Sequence, residues 1–508
     1  MPSQNRQKSG SHGGWVLWLV AVLWSFPCIA FLIDAPEGVR VKAGLAVFAL
    51  SIVLAAIDRK SVVLGMPFAA MLAPISGTTP FGIEGLLLSD AFLGMAFCAF
   101  LAGAVNPNFR IRVGSECKLL FLVFGLSLFS WAAAVEPKVA INGVLNIVAM
   151  GILYLVTASL VTSEKVGKLV IWSWVIAAFY GAILTVVSYT QATPLLLGSE
   201  SIGGQQYAID MLSSDLFFRA TYFYAGFFFV IGAASIVLLV CAMKGKSALM
   251  KLAATFGLLL ALSVLFLMGN KTAMVGFVIL AIAIGWRSFC VGSMTTRIAR
   301  IATLAFALVV TSLGVAYASF MIIGEDQWLI ALERIGNMES LETRLQIFEG
   351  ALKQLLSSPK MFLVGIGPDM TVRMGDSGYA AIDSLLINPA TGIVEGAIDS
   401  TYLTVLVEYG VPFGALLFAF TIKTITMLHC ASRQTDENDL LLKSLMAIVL
   451  WWMVVALGQT SGTSKPTWLI VQIIATAYGV YSTGKETRNI VSMRQACTQT
   501  VMTRVVSG

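Results

Sequence analysis

Long apolar runs separated by short polar segments are the main feature of this chain. Runs of about 15 to 25 residues recur from end to end, which is the length that an α-helix needs to cross a lipid bilayer. We predict fourteen membrane-spanning helices, with twelve or thirteen as alternatives because some runs are short. Their predicted bounds are 15–33, 42–57, 61–76, 86–105, 118–135, 139–162, 168–190, 221–243, 251–269, 272–287, 300–323, 401–428, 443–460 and 467–482.

The composition narrows the class of protein. Hydrophobic residues make up 58% of the 508 positions and charged residues only 12%, against about 25% charged residues in soluble domains. A soluble enzyme, a disordered scaffold and a nucleic-acid-binding protein are therefore excluded. The sequence predicts an all-α polytopic membrane protein, and the absence of CxxC pairs or Cys/His clusters predicts no metal site.

Lysine and arginine residues are concentrated in alternate loops. One set of loops carries 21 of the 33 basic residues, whereas the short loops of the other set carry five. Because positively charged loops stay on the cytoplasmic side, both termini are predicted to be cytoplasmic. An alternation that continues to the end of the chain also favours an even number of spans.

Two loops on the predicted outer side are long, and the larger one divides the chain into three parts. We predict membrane helices over 1–323 (about eleven spans), an outer loop subdomain over 324–400, and a C-terminal part over 401–508 with about three spans and a tail. The other long loop is 191–219. The 324–400 segment carries eleven acidic and five basic residues, and long loops cross the membrane largely regardless of charge.

An amphipathic helix is predicted inside the 324–400 segment, with Ser340 as its N-cap and Pro359 after its end. Its apolar face consists of Leu341, Leu345, Phe348, Leu352 and Leu355. This face needs a partner, either the membrane surface or another part of the loop. A glycine-rich turn follows at 364–369 and lacks the full spacing of a nucleotide-binding loop.

Four ionisable residues near the predicted outer ends of the spans are candidate site residues: Arg219, Lys271, Asp399 and Glu408. Arg344, on the predicted helix of the 324–400 segment, could reach the same place and is the fifth candidate. Three cations that converge would suit a diphosphate, since Arg offers bidentate donors and Lys a compact charge. A carboxylate beside them could take a proton from a sugar hydroxyl. The alternatives are basic side chains that extend to the membrane interface and, for Glu408, a hydrogen-bonded structural carboxylate about two turns inside the 401–428 span.

Aromatic residues accompany these candidates. Tyr222 and Tyr402 stand out as contacts for a glycan or a prenyl lipid. The alternative is that they belong to the aromatic belts found at membrane interfaces.

Two segments resemble the O-antigen ligase and polysaccharide polymerase superfamily. The first is 344–369 (RLQIFEGALKQLLSSPKMFLVGIGPD), which has an Arg, then a predicted helix and a glycine turn. The second is 399–414 (DSTYLTVLVEYGVPFG), which has a Tyr-Leu pair followed by a Glu and two glycines. Arg219 and the stretch 269–273 resemble outer-facing basic positions of that family, with Lys271 where an Arg is usual. The resemblance covers about 200 residues of the second half.

The resemblance implies a bacterial inner-membrane glycosyltransferase that works on the periplasmic side without a metal or nucleotide cofactor. Its substrate would be a polyprenyl-diphosphate-linked glycan in the membrane lipid. Arg219, Lys271 and Arg344 would bind the diphosphate, and Asp399, with Glu408 as the alternative, would be the base. Asp399 stands where the ligases have a His, which favours a polymerase of repeat units for an exopolysaccharide, capsule or O-antigen.

Three other functions remain open from the sequence. One is a ligase that transfers the finished glycan to a lipid or protein, and another is a transporter or flippase of lipid-linked sugars. The third is a structural subunit of a membrane complex. A chain-length regulator and a flippase are expected partners of a polymerase, and nucleic acid is not an expected partner.

Overall fold

A computed structural model gives the fold. It describes residues 14–33, 37–72, 88–106, 109, 111–112, 115–134, 137–190, 225–244, 247–267, 271–289, 313–317, 320–321, 328, 339–368, 370, 400–434, 440–457 and 470–483. Within these ranges the secondary structure is helical and contains no strand. The all-α fold class is therefore confirmed for the described part of the chain.

The helices follow the apolar runs closely. We number them α1 (Gly14–Leu32), α2 (Glu37–Ile57), α3 (Lys60–Leu72), α4 (Leu88–Ala104), α5 (Ser115–Ala132), α6 (Pro137–Leu160), α7 (Glu164–Thr190), α8 (Ala225–Lys244), α9 (Ala248–Leu267), α10 (Lys271–Phe289), α11 (Glu339–Leu355), α12 (Pro359–Val364), α13 (Thr401–Tyr409), α14 (Val411–Gln434), α15 (Leu440–Val455) and α16 (Ile470–Thr483). Twelve of the fourteen predicted runs each coincide with one helix. The run 300–323 falls mostly outside the described residues.

Four of the described helices contain segments that are long and apolar enough to cross a membrane: Ala140–Leu160, Glu164–Leu184, Ala248–Phe266 and Val411–Ser432. Shorter apolar helices pack around them, including α1, α3 and α15. Large apolar side chains are exposed on the outside of this bundle, which suits a surface covered by lipid rather than by water. The fold therefore defines a helical membrane protein.

The structure corrects the prediction of one continuous span over 401–428. The chain forms two helices there, because Gly410 interrupts them with φ +82° and its N–H bonds back to the carbonyl of Leu406. The short helix α13 contacts the end of α15 at its start and the end of α5 at its C-terminus. Glu408 therefore lies in the last turn of α13 and not two turns inside a span.

The amphipathic helix in the 324–400 segment is confirmed, with corrected ends. It begins at Glu339, so Ser340 lies within it, and it stops at Leu355. Pro359 starts the separate helix α12, where Ser358 is the N-cap and accepts a hydrogen bond from the amide of Met361. A proline suits this first position because its missing N–H would have no helical partner there.

Only part of the predicted apolar face of α11 is buried against protein. Ala351 is 2% exposed and Phe348 half-buried, and both pack in one cluster with Val407 of α13. Further members of this cluster come from α5, α6 and the glycine-rich turn: Trp131, Ala134, Ala140, Ile366 and Met370. The partner of α11 is therefore the helix bundle together with another part of the loop, and Leu345 and Leu352 remain exposed.

A buried glutamine joins the first half of the bundle to the last described helix. Pro67 in α3 has no N–H to give to the carbonyl of Val63, four residues earlier. The side-chain amide of Gln472 in α16 donates to this carbonyl over 2.8 Å, and its oxygen accepts from the indole N–H of Trp174 over 3.0 Å. Because a free carbonyl is costly inside a membrane, Gln472 compensates for the proline.

A tryptophan in α15 fixes the packing between α8 and α10. Its indole N–H donates to the carbonyl of Ala273 over 3.2 Å. A Cβ atom placed on Gly232 would lie 2.1 Å from the ring of Trp451, and one on Gly276 would lie 3.3 Å from it. The two glycines therefore make room for the ring between the helices, in the manner of small residues at membrane helix interfaces.

An arginine holds the opposite end of the bundle from α13. Arg112 donates to the carbonyls of Val161 and Gly479 and to the hydroxyl of Thr483. Val161 directly follows α6, and Gly479 and Thr483 lie in the last turns of α16. A cation is favourable at such helix C-termini. The residue therefore ties two helix ends together.

Candidate functional site

Helix α13 lies at the centre of the candidate site and has three distinct faces. Thr401, Thr404 and Glu408, at spacings of three and four residues, form a buried polar face. Val405 and Tyr409 pack in an apolar cluster with residues of α5, α6 and α14. The third face, represented by Leu403 and Val407, joins the cluster that holds α11. A nine-residue helix is thus surrounded by protein and carries one buried carboxylate.

Two glycines bring the segments 344–369 and 399–414 into direct backbone contact. We call the contact between residues 363–367 and 406–410 the glycine clasp. In it the amide of Ile366 donates to the carbonyl of Val407 over 2.9 Å, and the amide of Gly367 donates to that of Glu408 over 3.0 Å. The clasp therefore fixes the end of α13 against the turn that follows α12.

Only glycine fits at the centre of the clasp. Gly365 has φ +68° and ψ −161°, and Gly410 has φ +82° and ψ 169°, a region of backbone conformation that is essentially restricted to glycine. A Cβ atom on Gly410 would lie 2.4 Å from the carbonyl oxygen of Leu363, and one on Gly365 would lie 2.4 Å from that of Val407. Each glycine thus makes space for the backbone of the other segment.

Three of the five ionisable candidates, Lys271, Arg344 and Glu408, lie in described helices, and of these three only Glu408 has a described side chain. Glu408 is 1% exposed. Its carbonyl oxygen accepts from the hydroxyl of Ser130 over 2.8 Å and from Gly367 in the clasp. The last turn of a helix carries partial negative charge and favours a cation. A carboxylate at this position is therefore stabilised by a neighbouring cation or by a proton donor. Nothing in the sequence pattern around Ser130 indicates this contact with α13.

Tyr402 connects α13 to α15. Its hydroxyl donates to the carbonyl of Met453 over 3.0 Å, and its ring is half-buried. The start of α13 is fixed to the same helix, since the amide of Thr401 donates to the carbonyl of Ala456 over 2.9 Å. The hydroxyl hydrogen of Tyr402 is therefore already used, which leaves its oxygen as an acceptor and its ring as an apolar surface for any ligand.

The structure brings the elements of three candidates to one end of the bundle. Residue 271 is the first of α10, whose carbonyl at Ala273 accepts from Trp451 of α15. Helix α15 ends beside the start of α13, and α13 packs against α11, which contains residue 344. The side chains of Lys271 and Arg344 are not among the described ones. Arg219, Tyr222 and Asp399 lie outside the described residues altogether.

The site offers carboxylate, hydroxyl and backbone groups but no metal-ligand cluster in the part of the chain that the structure describes. Comparison of the chain with protein-family models finds no match. Comparison with curated proteins also finds none. The class of helical membrane protein therefore comes from the fold, and a function has to be argued from the site.

Proposed function

We propose that this protein polymerises polyprenyl-diphosphate-linked oligosaccharide repeat units at the outer face of a bacterial inner membrane. The product would be an exopolysaccharide, a capsule or an O-antigen. The observation that carries the proposal is the glycine clasp. It joins 344–369 and 399–414, the two segments that resemble the superfamily, although about thirty residues separate them in sequence.

The position of the site supports this proposal. Lys271, Arg344 and Glu408 belong to elements that are linked through α15 and the clasp at one end of the bundle. On the orientation that the basic loops favour, this end faces the periplasm and both termini face the cytoplasm. A lipid-linked glycan presents its diphosphate at that depth, where the membrane headgroups begin.

The proposed reaction is a glycosyl transfer that needs no cofactor. A hydroxyl oxygen of the incoming unit bonds to the anomeric carbon of the growing chain, and the bond from that carbon to the diphosphate oxygen breaks. Arg219, Lys271 and Arg344 hold the diphosphate as its charge grows. Asp399 accepts the hydroxyl proton, and Glu408 is the second carboxylate for this role.

Activity can be tested on the lipid-linked oligosaccharides that accumulate in a strain lacking this protein. The purified full chain in proteoliposomes should convert them to a ladder of longer products and release polyprenyl diphosphate. A single transfer to a lipid or protein acceptor, without a ladder, would replace the polymerase by the ligase. Movement of the substrate across the bilayer without any new glycosidic bond would replace it by the transporter.

Site variants make the test specific to the proposed residues. Arg344→Lys should lose most of the polymer because Lys lacks the bidentate fork, and Asp399→Asn should lose about 10²–10⁴-fold. Arg373→Lys, a change of the same kind in the same loop, is the matched control and should retain full activity. Normal polymer from Asp399→Asn and none from a well-expressed Glu408→Gln would exchange the roles of the two carboxylates.

A further inference from the structure

Helix α11 carries a second apolar surface that no described part of the protein covers. Leu345, Leu352 and Leu356 are 57%, 45% and 70% exposed. Phe362 and Leu363 of the adjoining helix α12 are 41% and 53% exposed. We call these five residues the apolar ridge. These exposed apolar residues recur along α11 and α12, whereas isolated exposed apolar residues would need no explanation.

The ridge lies between the protein-facing and charged sides of α11. With 3.6 residues per turn, Leu345, Leu352 and Leu356 lie about a quarter turn from the buried Ala351 and Leu355. The exposed pair Glu349 and Lys353 follows on the far side of the ridge.

The charged side is suited to water and lipid headgroups. Nζ of Lys353 lies 2.7 Å from Oε1 of Glu349. This hydrogen bond and the nearby positive charge hold the pKa of the Glu349 carboxyl below its usual value. Around α11, the protein-facing side is followed by the apolar ridge and then by the charged side. A helix that lies in the plane of a membrane interface has this same arrangement.

The neighbours of the ridge indicate what covers it. Helix α12 packs against α5 and α14. Phe129 near the end of α5 is 69% exposed, and Phe418 of α14 is 51% exposed. Helix α14 contains the candidate span Val411–Ser432, of which only 28% is buried inside the protein. The ridge therefore adjoins a surface that lipid must cover.

We propose that the apolar ridge inserts into the acyl-chain region of the leaflet at the clasp end of the bundle. The 339–364 segment is then a membrane-interface element and does not extend into the aqueous space. Lipid contact would fix α11, and with it the clasp, at the depth of the headgroups. The proposal depends on the chain crossing a membrane and does not depend on polymerase activity.

Photo-crosslinking in a bilayer tests this contact. Leu352 and Leu356 are replaced one at a time by p-benzoylphenylalanine in the full chain, which is reconstituted in nanodiscs of phosphatidylethanolamine and phosphatidylglycerol. Gln354, on the side of α11 roughly opposite the ridge, is the matched control. Leu345 is an independent third position if one ridge variant does not fold. After illumination, intact-protein mass spectrometry measures the lipid adduct.

Lipid adducts at the ridge positions should exceed those at Gln354 by at least about tenfold, as expected if the two sides of the helix face different solvents. Three results would overturn the proposal: equal lipid adducts at ridge and control positions, no lipid adduct at any ridge position, or crosslinks between two copies of the chain in place of lipid. None of these results bears on the ladder assay, so the two proposals can fail separately.

Discussion

The glycine clasp can be tested by adding one methyl group at Gly410. Gly410→Ala puts a side chain where the backbone conformation is essentially glycine-only, which costs about 1–3 kcal/mol. The new Cβ atom would lie 2.4 Å from the carbonyl oxygen of Leu363, so the two segments must separate. Separation breaks two hydrogen bonds, those of the Ile366 and Gly367 amides, each worth about 0.5–1.5 kcal/mol.

The free energy that keeps the clasp closed should therefore fall by about 2–6 kcal/mol. Since every 1.4 kcal/mol is a factor of ten, the amides of Ile366 and Gly367 should exchange with solvent about 30 to 10⁴ times faster. Hydrogen–deuterium exchange of the full chain in nanodiscs, followed by mass spectrometry, measures this rate. Limited proteolysis should cut the 339–370 segment earlier in the variant.

Gly151→Ala is the matched control because a Cβ atom at this helical position would meet nothing within 4 Å. Its exchange should match that of the wild type. Gly365→Ala should repeat the effect of Gly410→Ala, and the double variant should add little, because both changes open the same contact. Wild-type protection of Ile366 and Gly367 in Gly410→Ala would refute the clasp.

Three further changes test the packing of the bundle by thermal unfolding in detergent. Gln472→Leu leaves a buried indole N–H and a carbonyl without partners and should lower the free energy of unfolding by about 1–3 kcal/mol each. Gly232→Ala drives a methyl group into the ring of Trp451 and should cost about 1–3 kcal/mol, whereas Gly151→Ala should be neutral. Arg112→Ala removes bonds to the ends of two helices and should cost about 1–3 kcal/mol. An unchanged melting temperature would contradict the contact that the variant removes.

Helix positions in this chain could be predicted from the sequence, because an apolar run about twenty residues long has few structures open to it in a membrane. The break at Gly410 was missed because apolar residues continue on both sides of it. A signal was nevertheless present, since Gly410 is followed two positions later by Pro412, and a glycine with a nearby proline is a common helix end.

Contacts between distant segments could not be predicted in the same way. The spacing of Leu345, Leu352 and Leu355 indicated an amphipathic helix but not which part of a wide apolar arc meets protein. Likewise, nothing near Gly365 in sequence indicates that the backbone of Val407 and Glu408 packs beside it. The resemblance placed the two segments in one family motif, and the packing of backbone on backbone became visible only in three dimensions.

The bond between Gln472 and the carbonyl of Val63 has a consequence for the order in which the protein is made. The two residues are 409 positions apart, so at about 5–20 residues per second the glutamine follows the carbonyl by about 20–80 s. During that time the carbonyl that Pro67 leaves without a helical donor needs another partner, such as water or a neighbouring side chain. The packing around the carbonyl of Val63 is therefore completed only after α16 has been made.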